Sequence, residues 1–164
     1  MAVKIKVEDY TDECMDALKS GILSALEEVG GAIEAQAKRN SRVNTGQTKG
    51  SWDHHVNKAK YEVSVGSPLE NAIWEEFGTG EYAVNGNGRQ GYWVYVKSQE
   101  GQTVTESTDG KVYTLGQAKR IMAMLRAEGL DAYYTNGKSP NRTLERAFKS
   151  KKNKIKTVFK GCVK

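Results

Sequence analysis

The chain has 164 residues, with 25 Lys and Arg against 20 Asp and Glu, a formal net charge of +5 and a mean hydropathy of −0.65. That length fits one domain or one domain with an elaboration, and only 31 residues are Leu, Ile, Val or Phe, so the core is thin and the fold polar. No apolar run of about 18 residues exists to span a membrane, residues 1–8 lack the apolar stretch of a secretory signal, and Cys14 and Cys162 make neither a disulfide framework nor a zinc pattern, which points to synthesis in a reducing cytoplasm.

Val3, Ile5 and Val7 alternate with Lys4 and Lys6, the period of a short half-buried strand. Thr11 or Asp12 offers an N-cap, followed by the acids Asp12, Glu13 and Asp16 in the first turn. Leu18, Ile22, Ala25, Val29, Ala32, Ile33 and Gln36 then share a stripe that predicts a helix over about 12–40. Gly21, Gly30 and Gly31 each weaken it by about 1 kcal/mol relative to Ala. We read them as sites of close packing in a core helix. Residues 41–50 form a polar loop. Trp52, His54 and Val56 alternate against Asp53, His55 and Asn57, and Tyr61, Val63 and Val65 alternate in turn, which predicts an antiparallel hairpin ended by Gly66-Ser67-Pro68.

Residues 71–77 read as a short helix with Gly78 at its C-terminal stop. Residues 78–91, GTGEYAVNGNGRQG, hold five glycines and read as a long mobile loop. A strand is predicted over 92–97, a polar turn over 101–110, and a short return strand over 111–114. A helix follows from Leu115 to Glu128, with Leu115, Ala118, Ile121, Met122 and Leu125 on one face and Gly129 closing it. A short extended piece spans 132–135. Asn136-Gly137 then turns the chain. Leu144, Ala147, Phe148, Ile155, Val158 and Phe159 mark a final amphipathic helix. The order predicts an α+β fold: a long N-terminal helix and a C-terminal helix packed on an antiparallel β-sheet, with long Gly-rich loops.

Motifs that suggest chemistry fail on context. Gly86-x-Gly88-x-x-Gly91 has dinucleotide-binding spacing, but a strand follows it where a helix N-terminus is required. Gly137-Lys138-Ser139 resembles the end of a phosphate-binding loop, but Ala132 stands where its first glycine belongs and Pro140 follows at once. His54 and His55 are neighbours on a strand and point to opposite faces. Glu75 and Glu76 read as a solvated helix face, and the sequon at Asn141 has no meaning without secretion. We therefore expect no catalytic residue, metal or cofactor. Charge is uneven: from Lys138 onward stand ten Lys and Arg with one acid, Glu145, whereas residues 1–137 are net −4. Lys149, Lys151, Lys152, Lys154 and Lys156 are the candidates to face DNA, against the plainer reading of a solvated helix face.

Three segments carry a resemblance. Val43-Asn44-Thr45-Gly46 with Ser51, then Ala72-Ile73-Trp74-Glu75-Glu76-Phe77-Gly78-Thr79-Gly80, then Lys138-Ser139-Pro140-Asn141-Arg142-Thr143-Leu144-Glu145-Arg146-Ala147-Phe148, resemble in order and spacing the motifs of a bacteriophage family. It is the neck or tail-completion (minor tail component, head–tail connector) family of long-tailed double-stranded DNA phages and prophages. Arg42, Asn44 and Thr48 depart from its usual residues. The resemblance implies one domain over 1–164 with an insertion at about 100–135.

It also implies a non-enzymatic virion protein of the head–tail junction that assembles as or onto a ring. Its partners would be copies of itself, head-closure or connector proteins and tail tube or tail-terminator proteins, with non-specific contact to packaged DNA and none to membrane. The motif residues Asn44, Thr45, Gly46, Ser51, Glu76, Phe77, Gly78, Thr79, Gly80, Pro140, Leu144 and Ala147 are expected to shape turns. Phe77 would anchor its turn in the core and Glu76 would accept from a turn amide. The loops 41–50 and 78–91 are candidate assembly patches. The alternative is a basic nucleic-acid-binding module that uses the C-terminal helix.

Overall fold

The structure is a computed structural model and describes residues 6, 8–43, 46–97, 104–106 and 110–162. The strand expected at Val3–Val7 therefore lies outside the described residues, apart from Lys6. The chain divides into two compact units. The first combines Met1–Pro68 with Thr143–Lys164, and the second is Leu69–Arg142.

The first unit is built on α1 (Thr11–Asn40), 30 residues and about 45 Å long. Its N-cap position is Tyr10 rather than Thr11 or Asp12, with no side-chain cap. Asp9 takes over that role from outside the helix, accepting from the Thr11 amide at 3.0 Å and hydroxyl at 2.6 Å. Of the expected stripe Ala25, Val29 and Ile33 are buried, Ile22, Ala32 and Gln36 are half-buried, and Leu26 and Ala37 join the buried set. Residues 11–20 are exposed throughout, Leu18 included. A single turn, α2 (Gln47–Gly50), leads into the predicted hairpin, β1 (Asp53–Asn57) and β2 (Glu62–Gly66), which pairs antiparallel with His54 opposite Val65 and Val56 opposite Val63. Trp52, almost fully buried, donates from its indole to Ser41 Oγ at 2.7 Å, and Ser41 donates onward to the Ala37 carbonyl.

The second unit opens with α3 (Glu70–Phe77) and a 3₁₀ turn at Gly80–Tyr82. Its sheet has the order β4 (Val104–Glu106), β3 (Trp93–Lys97), β5 (Ala132–Thr135), all antiparallel. The return strand thus lies at 104–106. The stretch expected for it, 111–114, supplies only a bridge between Tyr92 and Tyr113. Helix α4 (Leu115–Ala127) begins with a capping box between Thr114 and Gln117 and covers the sheet with Ala118, Ile121, Met122 and Leu125 around Val94 and Ala132. The stretch expected as an insertion, about 100–135, is closed at its base by the β3–β5 pairing.

The last helix, α5 (Thr143–Gly161), belongs to the first unit and runs antiparallel to α1. Asn40 Nδ2 donates to the Thr143 carbonyl at 3.2 Å, Lys154 meets Glu28 at 3.0 Å, and the Cys162 thiol reaches the Gly21 carbonyl at 3.5 Å. The architecture is α+β, with long first and last helices and antiparallel pairing. The strands fall into two sheets where one was expected, because the second unit carries its own core. No helix among the described residues is long and apolar enough to cross a membrane.

Candidate functional site

Two of the three motif segments meet in the second unit. The backbone of Thr79 pairs with that of Lys138 in both directions, at 2.9 and 3.2 Å, and Thr79 Oγ1 also accepts from the Lys138 amide. Glu81 N donates to the Asn136 carbonyl at 2.9 Å. This approach requires glycine. Gly78 has φ +71°, and a Cβ there would lie 2.8 Å from the carbonyls of Lys138 and Tyr82 and 2.9 Å from Pro140 Cδ. Gly80 has φ +61°, and its Cβ would lie 2.7 Å from Gly137 Cα. Gly137 is itself left-handed, at φ +129°. The first part of the 78–91 loop is therefore a packed turn rather than a mobile loop.

A second carboxylate, beside Glu76, is built into this turn. Glu75, read as part of a solvated face, is buried at 6% exposure, whereas Glu76 is half-buried. Glu75 pairs through Oε1 with the Lys138 ammonium, its carbonyl accepts from Asn141 N at 2.6 Å, and Oε2 is buried without a partner. Phe77 does not anchor the turn. It is 47% exposed and lies with Ile73 and Trp74, also exposed, on the outer side of α3, because the helix buries Ala72 and Glu75 instead. Tyr82 and Val84 just beyond are exposed as well.

The remaining motif residues lie in the first unit, except that Asn44 and Thr45 fall outside the described residues. Gly46 is the left-handed N-cap of α2, at φ +83°, and Ser51 closes that turn. Ser51 Oγ bonds the Thr48 carbonyl at 2.9 Å and shares a hydrogen bond with Ser67 at 2.6 Å. Ala147 is fully buried on the inner face of α5. Leu144 lines an open apolar trough of about 400 Å³. Val29 and Ile33 of α1 line it too, with Val63 and Val65 of β2 on one side and Phe148 and Phe159 of α5 on the other.

Some basic residues of α5 have acidic partners on the surface of the same unit. Lys149 pairs with Glu145, Lys154 pairs with Glu28, and Lys151 is half-buried. Lys152 and Lys156 are exposed.

Sequence reasoning missed a second cluster, at the meeting of α1 and β1. His54 Nδ1 bonds Glu34 Oε2, and His54 Nε2 lies 3.3 Å from Glu27 Oε2. The two glutamates are two turns apart on one helix face, with Gly30 and Gly31 between them. A Cβ at Gly30 would lie 2.5 Å from His54 Cδ2, so the missing side chain is what lets the imidazole lie on the helix. The hydrogen bond to Glu34 holds the imidazole pKa above its ordinary 6.5, against the opposing effect of burial and with a smaller contribution from Glu27. Glu34 is held below its ordinary 4.5 by Lys38, at 2.5 Å, and then by His54. Asp53 brings a third donor, and one ligand atom from each of Glu34, Asp53 and His54 fits within 4.8 Å. That spacing suits a metal ion. In this structure, however, Glu34 is already neutralised by an ammonium and an imidazole, so the group works as an ion-pair clamp of hairpin to helix. The signal was present as His54 on the inward face of β1 and a Gly-Gly pair flanked by glutamates. Compared with protein-family models, curated proteins and solved structures, the chain matches none at significance.

Proposed function

We propose that this chain is a structural protein of the head–tail junction of a long-tailed double-stranded DNA phage, made in the host cytoplasm and working as, or on, a ring that joins tail to head. The observation that carries the reading is the outer face of α3. Ile73, Trp74 and Phe77 are 57%, 45% and 47% exposed on a helix fixed from behind by Glu75, Lys138 and the glycine turn. A contiguous apolar face on a firmly held helix is a surface for another protein. It also lies within the segment whose residues resemble the phage motif. Its partners on this reading are copies of the chain and head-closure or tail tube proteins. A closed ring needs two different patches per subunit. No catalytic step is assigned.

A phage deleted for this chain is expected to accumulate full heads apart from finished tails; normal virions would end the reading. The DNA contact is the weaker part, since Lys149 and Lys154 already have acidic partners. Neutralising Lys151, Lys152, Lys154 and Lys156 is expected to reduce DNA retention in the virion. Unchanged retention and infectivity would remove DNA from the proposal. Binding of duplex DNA by the isolated chain, weakening with salt, would instead favour the nucleic-acid module.

A further inference from the structure

The trough of the first unit has a strand on one side, and that strand has a free outer edge among the described residues. Among the described residues the hairpin sheet has two strands, and it is β2, not β1, that lines the trough. Its residues alternate. Val63 and Val65 face the trough, whereas Glu62 and Ser64 are exposed. An occupant suited to this site is an extended segment of matching alternation, with aliphatic side chains on one side and positive charge on the other.

The chain carries such a segment at Ala2-Val3-Lys4-Ile5-Lys6-Val7. Laid along β2, Val3, Ile5 and Val7 cover the aliphatic trough. Lys4 and Lys6 then fall on the face that holds Glu62. The Lys6–Glu8 ion pair is exposed, with the Glu8 side chain 49% accessible, and as a surface pair it competes weakly.

Reach decides whose trough it is. Val29 is 18 residues along α1 from Thr11, about 27 Å of helix. Val7 is four residues before Thr11 and extends at most about 14 Å. The near end of the trough, at Phe159, is no easier to reach. Cys162, one helical turn beyond Phe159, stands beside Gly21, about 15 Å from Thr11. The three apolar residues of the segment cannot all lie in the trough of their own chain. Residues 11–20 of α1, about 15 Å of helix, are exposed throughout. We propose that residues 2–7 of one copy add as a strand to the edge of β2 in a second copy and fill its trough. This goes beyond the virion reading. A phage deletion yielding normal virions would sink that reading and leave the exchange standing, whereas a monomeric chain would sink the exchange alone.

The test is sedimentation of the whole chain up to on the order of 100 µM. The wild type is expected to associate with rising concentration. Ile5→Lys, in the segment, and Val65→Lys, in the trough, are each expected to weaken association at least tenfold. Mixed together they are expected to form a complex, because one keeps an intact trough and the other an intact segment. A labelled peptide of residues 1–10 is expected to bind the Ile5→Lys chain, and a peptide carrying the same substitution is not. This readout stands even if Val65→Lys fails to fold. A wild type that stays monomeric, an Ile5→Lys chain that associates as well as the wild type, or two peptides that bind alike would each overturn the proposal.

Discussion

The two units close their tightest approaches with different material. In the first, the space left by Gly30 is filled by a side chain, the imidazole of His54. In the second, the spaces at Gly78 and Gly80 are filled chiefly by backbone, the carbonyls of Tyr82, Asn136 and Lys138 and the Cα of Gly137, with the Pro140 ring beside Gly78. A side chain can rotate away from an intruding methyl, at the loss of its own contacts. A backbone held by paired hydrogen bonds cannot. The second unit should therefore tolerate an added Cβ less well, although all three glycines are equally invisible to hydropathy.

The sharpest way to break this comparison is Gly80→Ala. Left-handed φ and contact with Gly137 act together, and the expected loss is about 4 kcal/mol. Urea denaturation gives the size, and hydrogen exchange gives the place. Protection should fall at Thr79, Glu81 and Lys138 and persist in α1. Gly30→Ala should cost less, about 2 kcal/mol, because His54 and Val63 can move, and the loss should appear in β1 and β2. Gly21→Ala is its control. It meets nothing within 4 Å and should stabilise α1 by up to about 1 kcal/mol. Equal losses at Gly30 and Gly80 would erase the distinction between side-chain and backbone filling.

These glycines also show where the sequence was legible. The α1 stripe, the hairpin alternation and the opposed histidines could be read because each is a periodicity within one segment. The partners of Gly78, Gly80 and Gly30 could not, because they come from residues 136–140 or from the hairpin. The two adjacent glutamates make the same point. Nothing local separates Glu75 from Glu76. The buried Glu75 carboxylate is paired with the ammonium of Lys138, more than 60 residues on, while Asn141 N donates to the Glu75 backbone carbonyl. Phe77 was expected inside because it is apolar, yet α3 turns the i, i+3 face of Ala72 and Glu75 inward and leaves Phe77 outside. What the sequence missed is the part of α3 now read as an interface.

A smaller effect tests the electrostatic half of the second unit. Lys138→Met leaves Glu75 buried with no cation. The loss should be about 1–3 kcal/mol, between the values for exposed and buried pairs, because Lys138 itself is half-exposed. Adding Glu75→Gln should recover part of it, and the double-mutant cycle gives the coupling. If Lys138→Met is silent, the glycine turn alone holds α3.

The smallest effect is one of pH, and it belongs to the first unit alone. His54 lies there, and the second unit contains no histidine. His54 faces Glu27 and Glu34 of α1, Lys38 lies on the far oxygen of Glu34, and Asp53 accepts from the His54 amide at 2.9 Å. Because folding raises the imidazole pKa, its contribution is full below the ordinary value of 6.5 and is lost as pH rises through the raised value. Glu34 runs the other way. Its pKa is lowered, so its contribution is full above 4.5 and is lost as pH falls through the lowered value. The clamp is thus complete between about 4.5 and 6.5. Denaturation at weakly acidic and weakly alkaline pH should find the first unit less stable on the alkaline side. His54→Gln should remove that difference by leaving no charge to titrate against the glutamates. A slope that survives the substitution, or that appears equally in exchange of β3 and β5, would place the titrating group outside the clamp.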